Sequence, residues 1–219
     1  MRVQKRNGEY EDVSFDKILK RIQSLCIGEE FEKKIRIDPT LIAQKVCSEI
    51  YDGVKTTELD ELASQISIAL YPVNTDYGKL ASRISISNIH KNTPSKFSDA
   101  IKELYSFKLQ SGKTIIAKYL YNIVMENIDI LNNAINDLAD YKIDYFGFKT
   151  LEKSYLLRYN GRIIERPQYL FMRVALCIHR DNIDNAIATY HVLSEKYYTH
   201  ATPTLFNAGT LNEQLASCF

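Results

Sequence analysis

The chain has 219 residues, with 28 Lys and Arg against 27 Asp and Glu, 45% hydrophobic and 25% charged residues. This excludes a disordered or fibrous chain and suits one large or two small soluble domains, while the near-neutral charge means that any polyanion site is local, with no direct nucleic-acid binding expected. No apolar run approaches the roughly 20 residues of a membrane helix, and Met1-Arg2-Val3-Gln4-Lys5-Arg6 leads into no apolar signal segment, so a cytoplasmic protein without membrane attachment is expected.

The first fifteen residues read as a β-hairpin: a strand over 3–6, a turn at Asn7-Gly8 and a return strand over 11–15. Asn-Gly is a strong hairpin signal because both residues tolerate positive φ. Val3, Val13 and Phe15 would then share one face, and Lys5 would face Glu11 across the strands. Helical spacing follows. Ile18, Ile22 and Leu25 form a stripe that Gly28 ends; Asp38 caps a second helix with Pro39 at its first position and Ile42, Val46 and Ile50 inward. A third helix opens at Thr56-Thr57 and stops at Pro72, with Thr57 and Asp60 at capping spacing, and a fourth covers 76–90 with Leu80, Ala81 and Ile84 inward.

Lys91-Asn92-Thr93-Pro94-Ser95 has linker composition, which divides the chain into domains of residues 1–92 and 93–219. Helices are expected over 98–107, 115–127 and 128–138, then a buried aromatic junction at Tyr141, Tyr145, Phe146 and Phe148. Asn160-Gly161 marks a second tight turn. Pro167 opens a helix to about 179, and Ile183, Ala186, Ile187, Tyr190, Leu193 and Tyr197 pattern another. Residues 199–209 read as a loop, and 215–219 as part of a strand, so a longer parent chain is expected.

Several residues carry two readings. Lys5 and Arg6 are either phosphate ligands, Arg bidentate and Lys a point charge, or the cations of a solvated hairpin. Thr56, Thr57 and Asp60 either cap a helix or, at its free N-terminus, meet a nucleotide. Lys91 is either a phosphate ligand or a cation at a helix C-terminus. Cys26, Cys47, Cys177 and Cys218 form no Cys-x-x-Cys pair, so neither a metal centre nor a disulfide framework is indicated. Cys218, behind Ser217 and a segment of small residues, is either a buried hydrophobe or a redox thiol.

Val3-Gln4-Lys5-Arg6-Asn7-Gly8 with Glu11-Asp12-Val13-Ser14-Phe15-Asp16-Lys17-Ile18 resembles the opening of an ATP-cone domain. Gly53-Val54-Lys55-Thr56-Thr57-Glu58-Leu59-Asp60 and Ser87-Asn88-Ile89-His90-Lys91 recur in the same order in eukaryote-type class I ribonucleotide reductase large (catalytic, alpha) subunits. Tyr145-Phe146-Gly147-Phe148-Lys149-Thr150-Leu151-Glu152, Glu165-Arg166-Pro167-Gln168 and residues 202–210 resemble the same subunits, so the resemblance spans essentially the whole chain.

The resemblance implies a mainly α (α+β) fold: an ATP-cone with a hairpin over four helices, then a helical region leading into the first strand of a ten-stranded α/β barrel. It implies that Lys5, Arg6, Glu11, Asp12, Val13, Ser14, Phe15, Asp16, Lys17, Thr56, Asp60 and Lys91 surround ATP or dATP, with Mg2+, as an allosteric overall-activity site. Thr202 and Ser217 are implied in substrate binding, and Cys218 in a disulfide formed as ribonucleoside diphosphates are reduced, its partner lying beyond residue 219. A separate small radical-generating subunit, homo-oligomerisation driven by effector, and thioredoxin or glutaredoxin as reductant are further implied. On this reading the fragment binds nucleotide without turning over. Asp12 stands where the family is often basic, and Thr202 where it often has Ser. The alternative is a stand-alone ATP-cone regulator; DNA-binding versions carry a zinc ribbon ahead of the cone, for which there are neither cysteine pairs nor room before Val3.

Overall fold

The computed structural model describes residues 1–31, 33–108 and 112–216. They cluster into two compact units, Met1–Asn88 with Ile143–Lys149, and Ile89–Lys142 with Thr150–Phe219. The division falls four residues before the expected boundary at 92/93, inside a helix, Asp76–Asn92, that runs across it.

In the first unit, β1 (Arg2–Gln4) pairs antiparallel with β2 (Tyr10–Asp12), with Val3 opposite Glu11. The hairpin turn differs from expectation in one respect: Gly8 has positive φ and Asn7 does not. Gly8 N–H donates to Lys5 O at 3.0 Å and Lys5 N–H to Glu9 O at 2.8 Å, the pattern of a three-residue loop with glycine in the left-handed position. The return strand also stops early. Ser14 leaves it to cap α1 (Phe15–Ile27), accepting from Lys17 N–H, so Phe15 is helical and 36% exposed and does not share a buried face with Val3.

Ile22, Leu25 and Cys26 form the buried stripe of α1, and Gly28 ends it. Helix α2 (Pro39–Glu49) starts as its sequence dictates, Asp38 accepting from Thr40 N–H at 2.9 Å, and buries Ile42, Ala43 and Val46. A short strand unseen in the sequence follows: β3 (Val54–Lys55) pairs parallel with β1, burying Val54 beside Val3. Helix α3 (Thr56–Ala69) is capped by Glu58, which accepts from Lys55 N–H at 3.2 Å, and not by Thr57 with Asp60.

Helix α4 (Asp76–Asn92) is buried on every face between residues 80 and 87. Its small polar side chains are paired accordingly: Ser85 with Ser64 at 2.7 Å, and Ser82 donating to Ile143 O at 2.5 Å.

The second unit is helical: α5 (Phe97–Ser106), α6 (Lys118–Glu126), α7 (Ile128–Ala134), a 3-10 segment over Asp137–Lys142, α8 (Tyr145–Ser154, which begins in the first unit), α9 (Pro167–His179), α10 (Ile183–Ser194) and α11 (Thr202–Asn207). Phe97, Ile101, Leu104, Leu120, Leu131, Tyr169, Met172, Leu176 and Tyr190 meet in one core. Burial of each contributes roughly 1.5–3 kcal/mol. Between α8 and α9, β4 (Arg158–Tyr159) and β5 (Arg162–Ile163) flank the expected turn, where Asn160 and Gly161 both have positive φ.

Four expectations are corrected here. Of the aromatic junction only Phe148 is buried; Phe146 is 66% exposed, because the segment is a helix with one inward face. Helix α10 ends at Ser194, where Lys196 takes positive φ and leaves Tyr197 81% exposed. Residues 202–207 are a helix, since Pro203 in the first turn needs no amide donor. Among the described residues none after β5 forms a strand, and the ten-stranded barrel is not part of this chain.

Candidate functional site

In the first unit, basic side chains from the hairpin and α1 converge on two carboxylates. Glu11 accepts from Lys5 Nζ at 2.8 Å and from Lys17 Nζ at 3.0 Å. The register puts Val3, not Lys5, opposite Glu11; Lys5 reaches it diagonally, two residues along the same face. The Lys5 hydrogen bond, and then that of Lys17, hold the Glu11 carboxyl below its ordinary range, and Glu11 in turn raises Lys5.

The second carboxylate is Asp60, in the second turn of α3 and 7% exposed. Arg6 donates to it at 3.0 Å, and also to Asn88 Oδ1 at 2.6 Å and Thr56 Oγ1 at 3.4 Å. Arg21 donates to both Asp60 oxygens at 3.3 and 3.4 Å and to Ser87 Oγ at 2.8 Å. Hairpin, α1, α3 and α4 are thereby joined through one buried carboxylate.

Of the residues singled out in the sequence, Lys5, Arg6, Glu11, Lys17, Thr56 and Asp60 take part in these contacts. Val13 and Ser14 link β2 to α1, Phe15 and Asp16 occupy the exposed first turn of α1, and Asp12 is exposed on β2, where Glu11 takes both lysines. Lys91 lies in the last turn of α4 and belongs to the second unit. Arg21 was missed. Its signal was faint: it stands four residues after Lys17, one turn along the helix from a residue already in view.

Chemically, two guanidiniums and two ammoniums share two carboxylates here, so cationic donors outnumber the anions they contact. An incoming phosphate would find charge-assisted donors already gathered, provided that Asp60 or Glu11 releases them.

In the second unit, Thr202 begins α11, and its Oγ1 lies 2.9 Å from Tyr155 Oη. Thr204 Oγ1 donates to Leu215 O at 3.1 Å and Asn207 Nδ2 to Gln214 O at 2.8 Å, tying α11 to residues 214 and 215, which precede Ser217 and Cys218 in the chain. Ser217 and Cys218 themselves lie outside the described residues. Cys26 and Cys177 are buried; burial raises the Cys26 thiol to about 11 and raises Cys47 as well.

One group of potential metal ligands occurs among the described residues, His90, Asp137 and Asp140. Its ligand atoms are engaged except for Asp137 Oδ1, which is buried without a hydrogen-bond partner. Asp140 is fully buried, pairs with His90 Nε2 at 2.7 Å, and accepts from Gln168 N–H and Nε2 at 3.2 and 3.1 Å; Arg166 sits 3.1 Å from Asp137. Burial pushes Asp140 up against the downward pull of His90. A guanidinium on one carboxylate disfavours a cation at the same place, so this is a hydrogen-bonded brace between α4, α9 and the 3-10 segment.

Comparison with known proteins adds two domain matches: an ATP cone domain over residues 1–92, and a ribonucleotide reductase all-alpha domain over residues 141–213. Over its full length the chain is 49% identical to a ribonucleoside-diphosphate reductase large subunit of Plasmodium falciparum (isolate Dd2), 48% to one of Arabidopsis thaliana and 50% to one of Vaccinia virus (strain Copenhagen). It spans 27–28% of the length of these curated relatives.

Proposed function

The chain belongs to the ribonucleotide reductase large-subunit family as its N-terminal part, and on that premise we propose that its first domain binds ATP or dATP and reports their ratio to a catalytic body that reduces ribonucleoside diphosphates. The observation that carries the nucleotide reading is the gathering of Arg6 and Arg21 on Asp60 and of Lys5 and Lys17 on Glu11.

In this reading the triphosphate takes over donors now held by Asp60 and Glu11. Arg6 and Lys5 neutralise phosphate, and Lys91 joins them by its matching position in the family. Thr56 and Asp60 are offered to the nucleoside, and residues 12–17 form the wall beside it. Mg2+ would accompany the phosphates. Because cations leave one anion for another, binding should depend on salt and on which sugar can reach the freed Asp60.

The catalytic part of the proposal concerns a longer polypeptide. Reduction breaks the ribose 2′ C–O bond, releases that oxygen as water and oxidises two thiols to one disulfide. Cys218 supplies one thiol, a cysteine beyond residue 219 the other, and Thr202 and Ser217 contact the diphosphate or ribose. A small subunit supplies the radical, and thioredoxin or glutaredoxin returns the dithiol. Assembly into dimers and larger oligomers according to effector is the regulatory readout.

Calorimetric titration of ATP and dATP tests the binding site. One saturable site per chain is expected, weakened by Lys91→Glu with a shallower salt dependence. Absence of saturable binding by the unaltered chain would refute the reading, and unchanged binding by the variant would remove Lys91 from it.

A further inference from the structure

Glu213 precedes Cys218 by five residues and was not singled out by any sequence pattern. Its carboxylate is nonetheless the most heavily shared acceptor in this part of the second unit. Oε1 accepts from the Tyr119 hydroxyl on α6, from Gly209 N–H at 3.2 Å and from the Cys177 thiol on α9 at 3.4 Å. Oε2 accepts from Arg180 at 2.8 Å.

Arg180 is constrained from two further directions. Its guanidinium stacks 3.8 Å from the centroid of the Tyr119 ring. Its backbone, at the end of α9, has φ 53° and ψ −120°, a conformation that is strained for a non-glycine residue and persists only when surrounding contacts over-determine it. Glu213, Tyr119 and Arg180 thus hold one another, and through Gly209 N–H they hold the end of α11.

The consequence lies downstream in the chain. With Glu213 anchored to α6 and α9, Gln214 O held by Asn207 and Leu215 O held by Thr204, three successive residues are fastened, ending two residues before Ser217. We propose that Glu213 is a positioning residue, which fixes the course of the segment delivering Ser217 and Cys218 to the substrate. This rests on the reading of Cys218 as a redox thiol.

The physical reason for a carboxylate is the donor set. A hydroxyl, a thiol, a backbone amide and a guanidinium all point inward, and an acceptor-only group with two oxygens can satisfy all four. Glutamine would keep the shape but set its NH2 against one of these donors. Burial raises the Glu213 carboxyl above its ordinary range, and the Gly209 amide opposes that rise.

The experiment uses the complete large subunit, paired with its radical-generating subunit. Glu213→Gln is compared with the unaltered protein for kcat and KM under a dithiol reductant, and for amide exchange over residues 209–216. A displacement of about 1 Å in a reacting group costs on the order of 100-fold in rate. The expectation is a roughly 10- to 100-fold fall in kcat, KM for the diphosphate within about twofold, and faster exchange confined to that segment.

Tyr119→Phe removes one donor, keeps the ring under Arg180, and should show a smaller loss of the same kind; it decides the matter should Glu213→Gln fail to fold. Unchanged kcat in the folded variant, with or without faster exchange, overturns the positioning role. So does a rise in KM that accounts for the whole loss. Cys218→Ser run alongside separates the two layers: if it retains dithiol-dependent turnover, the reading of Cys218 fails, whereas a dead Cys218→Ser with a fully active Glu213→Gln sinks this inference alone.

Discussion

Replacement of Asp60 by Asn is the most direct perturbation of the candidate nucleotide site, because it removes the anion and keeps the shape. The Asp60 side chain is 10% exposed, while those of Arg6 and Arg21 are 26% and 25% exposed. Breaking a fully buried pair costs about 3–5 kcal/mol, and an exposed pair is worth about 0–1 kcal/mol. With both guanidiniums a quarter exposed, water screens part of the loss, and a destabilisation of about 1–3 kcal/mol is expected for the first unit. Two like charges left beside a neutral amide would also repel each other, which moves the expected loss toward the upper end of that range.

The assay is urea unfolding with and without saturating ATP. Without nucleotide the variant should lose the full amount at an unchanged m-value. With ATP the deficit should narrow, because the triphosphate can take over guanidinium charge that Asp60 no longer neutralises, and stabilisation by a ligand grows with its affinity for the folded state. A loss below about 0.5 kcal/mol, within the range of ordinary surface changes, would show that Asp60 is not the counter-ion it is taken to be. An equal deficit with and without ATP would show that phosphate does not replace it.

The remaining predictions concern stability and thiol chemistry. Ile84→Ala, at a buried position of α4, should destabilise the first unit by about 2–5 kcal/mol in the same urea assay. Gly161→Ala should cost about 1–2 kcal/mol although a Cβ there meets nothing within 4 Å, since the cost lies in its φ of +80°; a neutral result would mean that the turn relaxes. Under native conditions at pH 8, iodoacetamide should modify Cys26 at least an order of magnitude more slowly than a free thiol, because burial lifts it to about 11, and rapid native labelling counted by mass would contradict that. Glu11, depressed by two lysines, contributes stability present above its unfolded pKa and lost as pH falls through the lower folded value; the Glu11→Gln variant should therefore show a shallower acid limb below about pH 4.5.

What could be read from the sequence divides along physical lines. Helices α1, α2 and α4 were legible because each signal was local: a capping Asp and a first-turn proline for α2, a 3.6-residue stripe for all three. So was the turn at Asn160-Gly161, where both residues take positive φ. Strand β3 was not, since two residues carry no period and their partner β1 lies fifty residues away. Helix α11 was hidden by Thr, Pro and Asn, which signal loops when they stand alone; its end is held by Arg173, a buried side chain that donates to Leu205 O at 3.1 Å and to Ala208 O. A helix fixed by an arginine thirty residues upstream cannot announce itself in its own six letters.

The charged residues divide in the same way, and the division bears on function. Lys5 with Glu11 was visible because a hairpin brings them together within seven residues. Arg21 with Asp60 was not, because that pair exists only once α1 packs beside α3 and α4. Asp60 taken as a helix cap would be a local device with no wider effect. Shared between a hairpin arginine and a helix arginine, it becomes the anion that any phosphate must displace or join. Binding energy spent on that exchange is then felt in the hairpin, α1 and α4 at once, and only a nucleotide that treats Asp60 differently, by one sugar hydroxyl for example, can bias the domain between two states. On the proposed reading, discrimination between ATP and dATP is expected at the Asp60 end of the site and not among the phosphate ligands, which would meet the same triphosphate in both.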